Sequence, residues 1–468
     1  MIPPVRQAPF DTSFALDVVE VDALGWGVGV VDAAPDSHNR SAAHGQKARV
    51  QTENGQAGLA QTVRVKGVLA GERVEVRVVR REGRTLIAEL VAVLQPDRAR
   101  VVPRCPHFSV CGGCSWQHLD ALQRVARNAE SIAQQLTQAG INAPAAAAPV
   151  LSPTYHYRRR ARLSARYTQR GNRLHFGFRE AASRHVADIE TCAVIAEPFA
   201  SALPSLQVAL GELSIRHAIP EIECAAGDDS AAVVVRHLQS LTQGDQRVLR
   251  QWEARSGIHV WLQAGGPETT VRLQPESPEW LHYRVADDAP HMAFHPLDFV
   301  QVNAHVNRAM VGLALAALRK QGAQRVLDLF CGIGNFTLPI AAAIDRVVGV
   351  ESAPELVRRA QMNARQNNLA RVQFVSLDLH THASRRLADL GGFDTVLLDP
   401  PRAGAGAALA VLPKLGANHL LYVSCNPVTF VSDVQALAAN GYQLQEWRVL
   451  DMFPHTQHVE CMGTLERI

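Results

Sequence analysis

The run Val326-Leu327-Asp328-Leu329-Phe330-Cys331-Gly332-Ile333-Gly334-Asn335-Phe336 constrains the fold more than any other stretch of this 468-residue chain. An apolar segment bearing one acidic residue ends in a turn with two glycines, and a helix-like segment follows. The pattern predicts a buried parallel strand feeding a tight turn at which a ligand approaches the backbone. In a doubly wound sheet such turns lie at the carboxyl ends of the strands, where these folds bind nucleotides. The next strand, Arg346 to Glu351, ends on a carboxylate placed to hold ribose hydroxyls.

Two cofactors suit such a site. A dinucleotide fingerprint needs a third glycine, where Thr337 stands. S-adenosylmethionine has no pyrophosphate to seat, and the D-x-F-x-G-x-G turn that often binds it is met by Asp328, Phe330, Gly332 and Gly334. An ordinary strand–turn–helix is the plain alternative, and the rest of the chain decides between them.

Downstream, strands alternate with helices: a helix over 355–367, a strand over 372–375 ending near Asp378, then Phe393 to Asp399 and Leu420 to Ser424. That alternation predicts a mostly parallel, doubly wound sheet. Two strand ends are unusual. Asp399-Pro400-Pro401-Arg402 puts a carboxylate and a rigid turn beside the cofactor cleft, and Ser424-Cys425-Asn426-Pro427 puts a thiol at the same sheet edge. A lone cysteine is ordinarily a core residue, but one placed after the apolar run and before a proline turn faces the cleft.

A thiol beside a methyl sulfonium suggests one reaction. Uracil C5 is a poor nucleophile until a thiolate adds at C6 and turns C5 into an enolate carbon. A base must then remove the C5 proton so that the thiolate leaves. Glu460, on a late strand, is the candidate base; a surface carboxylate is the plain alternative.

The chain is long enough for two or three domains. Residues 11–94 read as a small β-barrel, interrupted at 33–60 by an insertion rich in Ala, Gly, Gln, His and Asn. Its outer face would carry Arg64, Lys66, Arg73, Arg77, Arg80, Arg81 and Arg84, which suits either solvent or RNA. Residues 95–293 form a central region. There Cys105, Cys111 and Cys114 lie close enough to converge on one centre, with Cys192 the nearest further thiol and His107 and His118 as alternative ligands. Spacing leaves zinc and iron–sulfur open. A helix over 119–140 and an Ala/Pro linker over 141–150 precede a cationic stretch containing Arg158, Arg159, Arg160, Arg162, Arg166, Arg170, Arg173, Arg179 and Arg184. Tyr155, Tyr157, Tyr167, Phe176 and Phe178 interleave with them, a pattern suited to phosphate contact and base stacking as well as to a solvated face. Cys224 reads as a buried hydrophobe. No signal-like or membrane-spanning apolar run stands out and the cysteines do not suggest a disulfide scaffold, so a cytoplasmic location is expected.

Together these residues resemble the RNA uracil-C5 methyltransferases, and within them the group acting on 23S rRNA, over nearly the whole chain. The resemblance implies a TRAM-like N-terminal barrel, a central α+β iron–sulfur domain and a C-terminal Rossmann-like methyltransferase domain over 294–468. It implies a [4Fe-4S] cluster on Cys105, Cys111, Cys114 and Cys192. Cofactor contacts fall on Gln301, Phe330, Asn335, Glu351, Asp378 and Asp399, the nucleophile on Cys425, the base on Glu460, and an aromatic that stacks on the target on Phe299. 23S rRNA is the implied partner, with no obligate protein partner. A tRNA substrate and a non-catalytic RNA-binding protein on the same scaffold are the alternatives.

Overall fold

The computed structural model describes residues 13–22, 25–31, 61–181, 183–379 and 383–468, with backbone only at 383–385. The 33–60 insertion lies outside the described residues. The chain divides into two compact units, one built from 1–104 and 115–123, the other from 105–114 and 124–468.

The first unit is a six-stranded sheet of β1 (Ser13–Asp17), β2 (Glu20–Val21), β3 (Trp26–Val31), β4 (Gln61–Lys66), β5 (Arg73–Glu82) and β6 (Thr85–Gln95), in the order β1-β5-β6-β4-β3-β2. Its two edge strands are consecutive in sequence. Between them the chain breaks at Val18 and Val19, where Val18 N–H donates to Glu72 O and Val19 N–H to Val28 O, transferring it from one partner strand to another. Leu16, Val63, Val65, Val74, Val76 and Leu86 fill the interior. Glycine is required at 27 and 29: a Cβ would lie 2.1 Å from Val68 and 2.6 Å from Leu16, respectively.

The second unit holds a mixed sheet and a larger doubly wound sheet. After α1 (Ala121–Gln138) come β7 (Arg160–Thr168), β8 (Arg173–Gly177), α2 (Phe199–Glu212), β9 (Glu221–Ala226), β10 (Ala231–Arg236), α3 (Gln243–Ser256), β11 (His259–Gln263) and β12 (Thr270–Arg272). The order β12-β11-β10-β9-β7-β8 is antiparallel except between β10 and β11. Cys224 is buried in this core, as expected. A short hairpin of β13 (Leu281–Tyr283) and β14 (Met292–Phe294) follows.

The last sheet comprises β15 (Arg325–Leu329), β16 (Arg346–Glu351), β17 (Gln373–Ser376), β18 (Thr395–Leu398), β19 (His419–Ser424), β20 (Tyr442–Leu450) and β21 (Glu460–Arg467). Helices α4 (Ala304–Gln321), α5 (Thr337–Ala341), α6 (Pro354–Gln366), α7 (Ala383–Ala388) and α8 (Pro427–Ala438) connect or flank them. Its order is β17-β16-β15-β18-β19-β21-β20, parallel from β17 to β19 and antiparallel from there. The order reverses beside β15, the switch point at which open α/β sheets leave a crevice.

The 141–150 stretch differs from a loose linker. Ala147 and Val150 N–H donate to Trp447 and Val449 carbonyls, and the Trp447 indole donates to Pro144 O at 2.9 Å, so the stretch is fastened along β20. Arg124 of α1 reaches the same region with a bidentate pair to Asp451, both oxygens at 2.8 Å and both residues buried. Removing one member strands a buried charge, so Arg124→Met is expected to lower unfolding stability by about 3–5 kcal/mol. Denaturant titration of the full chain checks this; a change below about 1 kcal/mol would contradict it.

Candidate active site

The turn after β15 is built from left-handed residues. Phe330, Gly332 and Gly334 have φ of 64°, 55° and 96°. Glycine meets that demand without strain, whereas Phe330 holds a conformation that L side chains rarely adopt. A Cβ on Gly334 would also lie 2.8 Å from Leu338. Gly332 N–H donates to Glu351 at 3.1 Å, and the other Glu351 oxygen accepts from Ser352 N–H and Ala353 N–H at 2.7 and 3.0 Å. The carboxylate that ends β16 thus ties the turn to the start of α6.

Asp328 lies beneath this turn, fully buried, with one oxygen accepting the Thr337 hydroxyl and the other without a hydrogen bond. Burial pushes it up to about 7, helped by Asp399 and Glu351 against the Thr337 bond. Asn335 is interlocked with Asn307 by two reciprocal amide bonds of 2.9 Å and also accepts from Tyr283 at 3.0 Å. Gln301 is 8% exposed and donates to Asp399 at 3.2 Å, while Phe299, two residues earlier, is 67% exposed. Asp378 is exposed beyond the end of β17.

The thiol and the late carboxylate meet through strand register. Ser424, the last residue of β19, pairs with Cys461. Cys425 and Glu460 each stand one residue beyond that last pair, close enough for the carboxyl to act on the thiol. Cys425 is half-buried, and Glu460 is 2% exposed. Burial raises Cys425, with Glu460 and Asp399 adding to the rise and Arg402 opposing it. Burial likewise holds Glu460 well above the ordinary carboxyl range, with Asp399 adding and Arg402 again opposing. Asp399 itself is pushed up to about 7 by burial, against the Gln301 hydrogen bond. Three acidic groups therefore share one cleft at the carboxyl ends of β18 and β19, with one guanidinium acting on two of them.

Gln301 and Asp399 come together directly, as do Glu351 and the 330–334 turn. Asp399, Cys425 and Glu460 lie within electrostatic reach of one another. Sequence reasoning missed Arg402 as a partner of the thiol, although its place three residues after Asp399 was a signal. It missed His458, which is in hydrogen-bonding contact with Arg402 and is lowered to about 4 by burial and the cations Arg402 and Arg158. The Asn426 amide fixes the Arg402 turn by donating to its carbonyl at 3.0 Å.

At the cysteine loop, Cys111 and Cys192 are buried, and Cys105 and Cys114 are partly exposed. Burial, with smaller contributions from Cys192 and Cys105, pushes Cys111 up to about 11. Backbone N–H donors point at sulfur: Gly113 at Cys111, 3.4 Å away, and Val194 and Ile195 at Cys192. These amide donors favour the thiolate form, against the burial and the neighbouring thiols that oppose it. Among the described residues, no three or more Cys, His, Asp or Glu are gathered as a ready metal-holding group. His107 Nε2 accepts from Glu190 N–H at 3.3 Å, and His118 bonds Val68 O at 3.2 Å inside the first unit, so both rings have other duties.

The cationic strand face is less open than its sequence implies. Arg160 pairs with Glu223 at 3.0 Å and Arg159 with Asp228 at 3.3 Å, both largely buried. Arg162 pairs with Glu223 at 2.7 Å but stays 65% exposed. In the first unit, Arg64 pairs with Asp22 and sits over Trp26, Arg77 pairs with Glu89 and Arg80 with Glu82.

A family model described as tRNA (Uracil-5-)-methyltransferase matches residues 124–468. Among curated relatives, a 23S rRNA (uracil(1939)-C(5))-methyltransferase RlmD of Acinetobacter baumannii is 40% identical over 86% of this chain and 89% of its own length. The protein of that name from Bordetella parapertussis is 41% identical over 86% and 88%. Among solved structures, the Pyrococcus abyssi tRNA (uracil-54, C5)-methyltransferase in complex with S-adenosyl-L-homocysteine aligns with a TM-score of 0.69 at 20% identity, covering 97% of this chain and 100% of that one. The family match and the curated relatives identify a methyltransferase, consistent with the doubly wound sheet and the glycine turn at its switch point. More particularly, the chain belongs to the tRNA (uracil-5-)-methyltransferase family.

Proposed function

We propose that the chain transfers a methyl group from S-adenosylmethionine to C5 of a uracil in 23S rRNA, through a covalent bond between Cys425 Sγ and C6. The observation that carries this reading is that the Cys425 thiol, just past the last β19–β21 pair, lies in electrostatic reach of both Glu460 and Asp399. The names of relatives about 40% identical over most of their length support the substrate.

The cleft fits the cofactor: Asp328 and Asp399 concentrate carboxyl groups where a cationic sulfonium and amine need partners, and one Asp328 oxygen has no hydrogen bond. Glu351 would hold the ribose, while Phe330, Asn335, Gln301, Asp378 and Asp399 would shape the remainder. Bound there, S-adenosylmethionine supplies an electrophilic methyl group. Cys425 contributes the thiolate that adds to C6, sending the electron pair of the C5=C6 bond towards C5 and the C4 carbonyl. Arg402 opposes the burial that otherwise keeps the thiol protonated. Once C5 carries the methyl group, Glu460 takes its proton, the pair returns to C5=C6 and the thiolate leaves. The high proton affinity that burial gives Glu460 suits a base at carbon. Phe299, exposed beside Gln301, would stack on the extruded uracil.

We read the cysteine loop as the holder of a [4Fe-4S] cluster on Cys105, Cys111, Cys114 and Cys192. Such a group would brace the loop, since methyl transfer itself is redox-neutral. The first unit is read as a TRAM-like RNA-binding barrel over 11–94, followed by a central domain to 293 and the methyltransferase domain from 294. An rRNA substrate implies a cytoplasmic enzyme; no helix among the described residues is long and apolar enough to cross a membrane.

The pH dependence of cofactor binding follows from the raised carboxyls. Asp328 and Asp399 keep their protons up to about 7 in the free fold and release them against a bound cation. Affinity should therefore rise with pH, approaching tenfold per unit below about 6.5 where one carboxyl controls binding, and level off above 7. Calorimetry in buffers of different ionisation enthalpy reads the proton release; a constant affinity from pH 5.5 to 7.5 would contradict it. The functional reading is tested by labelled-methyl transfer into unmodified 23S rRNA and, separately, unmodified tRNA. Label in 23S rRNA alone is expected, label in tRNA alone would overturn the substrate, and label in neither would overturn the activity.

A further inference from the structure

A cleft of about 460 Å³ lies beside the cysteine loop, and the proposed chemistry does not use it. One wall is the backbone of Gly112 and Gly113. A Cβ at Gly112 would stand 2.8 Å from Arg179 O, and one at Gly113 would stand 3.2 Å from the Phe178 ring, so the loop packs closely only because both are glycine. Arg162 of β7 and Glu221 of β9 also line the cleft. Glu223 at 2.7 Å and Glu221 at 3.5 Å orient the Arg162 guanidinium. Arg179 lines the cleft exposed, with no side-chain hydrogen bond or ion pair among the described residues.

We propose that this cleft binds a single unpaired nucleotide of the substrate RNA, a nucleotide other than the uracil that is methylated. The inference rests on the RNA substrate proposed above. Its volume lies within the range of pockets that enclose small ligands. Phe178, partly exposed in the lining, offers ring surface on which any base stacks. Arg179 offers an uncommitted fork for a phosphate, and Glu221 offers an acceptor that favours bases bearing an exocyclic amine. Uracil has no such amine, which separates this nucleotide from the one that reacts. The cysteine loop thereby gains a task besides its own integrity, because its two glycines form the wall against which the nucleotide is held.

Arg179→Glu in the full-length protein tests this with a 23S rRNA fragment containing the methylated site. KM should rise about tenfold or more, and the slope of log KM against log salt should flatten by about one, as for loss of one phosphate contact. kcat and the affinity for S-adenosylmethionine should stay at the wild-type level, and Arg179→Lys should recover most of the loss. Ultraviolet cross-linking of wild-type protein to the fragment should place a nucleotide on the peptide containing Phe178. An unchanged KM and salt slope in Arg179→Glu, with wild type active, would overturn the cleft alone. A wild type inactive on the RNA would overturn both this inference and the function on which it rests.

Discussion

Replacing Cys425 with alanine is expected to abolish methyl transfer, a loss on the order of 10⁴-fold or more, as when a covalent nucleophile is removed. Among the described residues, no other accessible thiol lies at the carboxyl ends of β18 and β19. Cys331 and Cys461 are buried and held well above the ordinary thiol range, chiefly by burial. Because Cys425 is only half-buried, the substitution should leave the fold and cofactor affinity near wild type. Single-turnover transfer into 23S rRNA, with calorimetry of S-adenosylmethionine on the same preparation, separates chemistry from binding. A variant retaining a tenth of wild-type activity would remove Cys425 from the reaction.

Glu460→Gln is expected to behave differently. Addition at C6 and methyl transfer to C5 both precede the step that needs the base, so the variant should methylate once and then stall. Turnover should fall by about 10²–10⁴, the usual contribution of a positioned general base. A denaturation-resistant complex of protein and methylated RNA should accumulate, with the nucleotide attached to the peptide containing Cys425. Glutamine keeps the shape of the side chain at the start of β21, and it removes the need to bury a carboxyl there, so the fold should be retained. Normal turnover without an accumulated complex would assign proton removal to another group.

Much of the last sheet is legible in the sequence because each strand is a short apolar run with a polar end. Val326 to Leu329, Arg346 to Glu351 and Leu420 to Ser424 all fall where their pattern puts them. Such a pattern reports burial, and in a parallel sheet burial on both faces leaves little ambiguity. What it does not report is pairing. That Cys425 lies near Glu460 depends on the antiparallel return of β21 beside β19, a long-range register that no local pattern encodes. Charge is legible as composition but not as availability. Arg160 reads like its neighbours on β7, yet it is buried against Glu223 and the 296–298 carbonyls, whereas Arg179 is left open. The Ala/Pro stretch at 141–150 looks like a linker because its side chains are small. Its fastening to β20 comes from backbone N–H groups at Ala147 and Val150, which every residue except proline carries and which side-chain pattern therefore does not report.

The roles of Cys425 and Glu460 together decide where the hydrogen on C5 of the target uracil goes. 23S rRNA carrying tritium at uracil C5 should release one tritium to water for each methyl group transferred. Glu460→Gln should transfer about one methyl per protein with little release. Methyl transfer by the wild-type protein without release of tritium would place the new bond somewhere other than C5, and would contradict the roles given to Cys425 and Glu460 together.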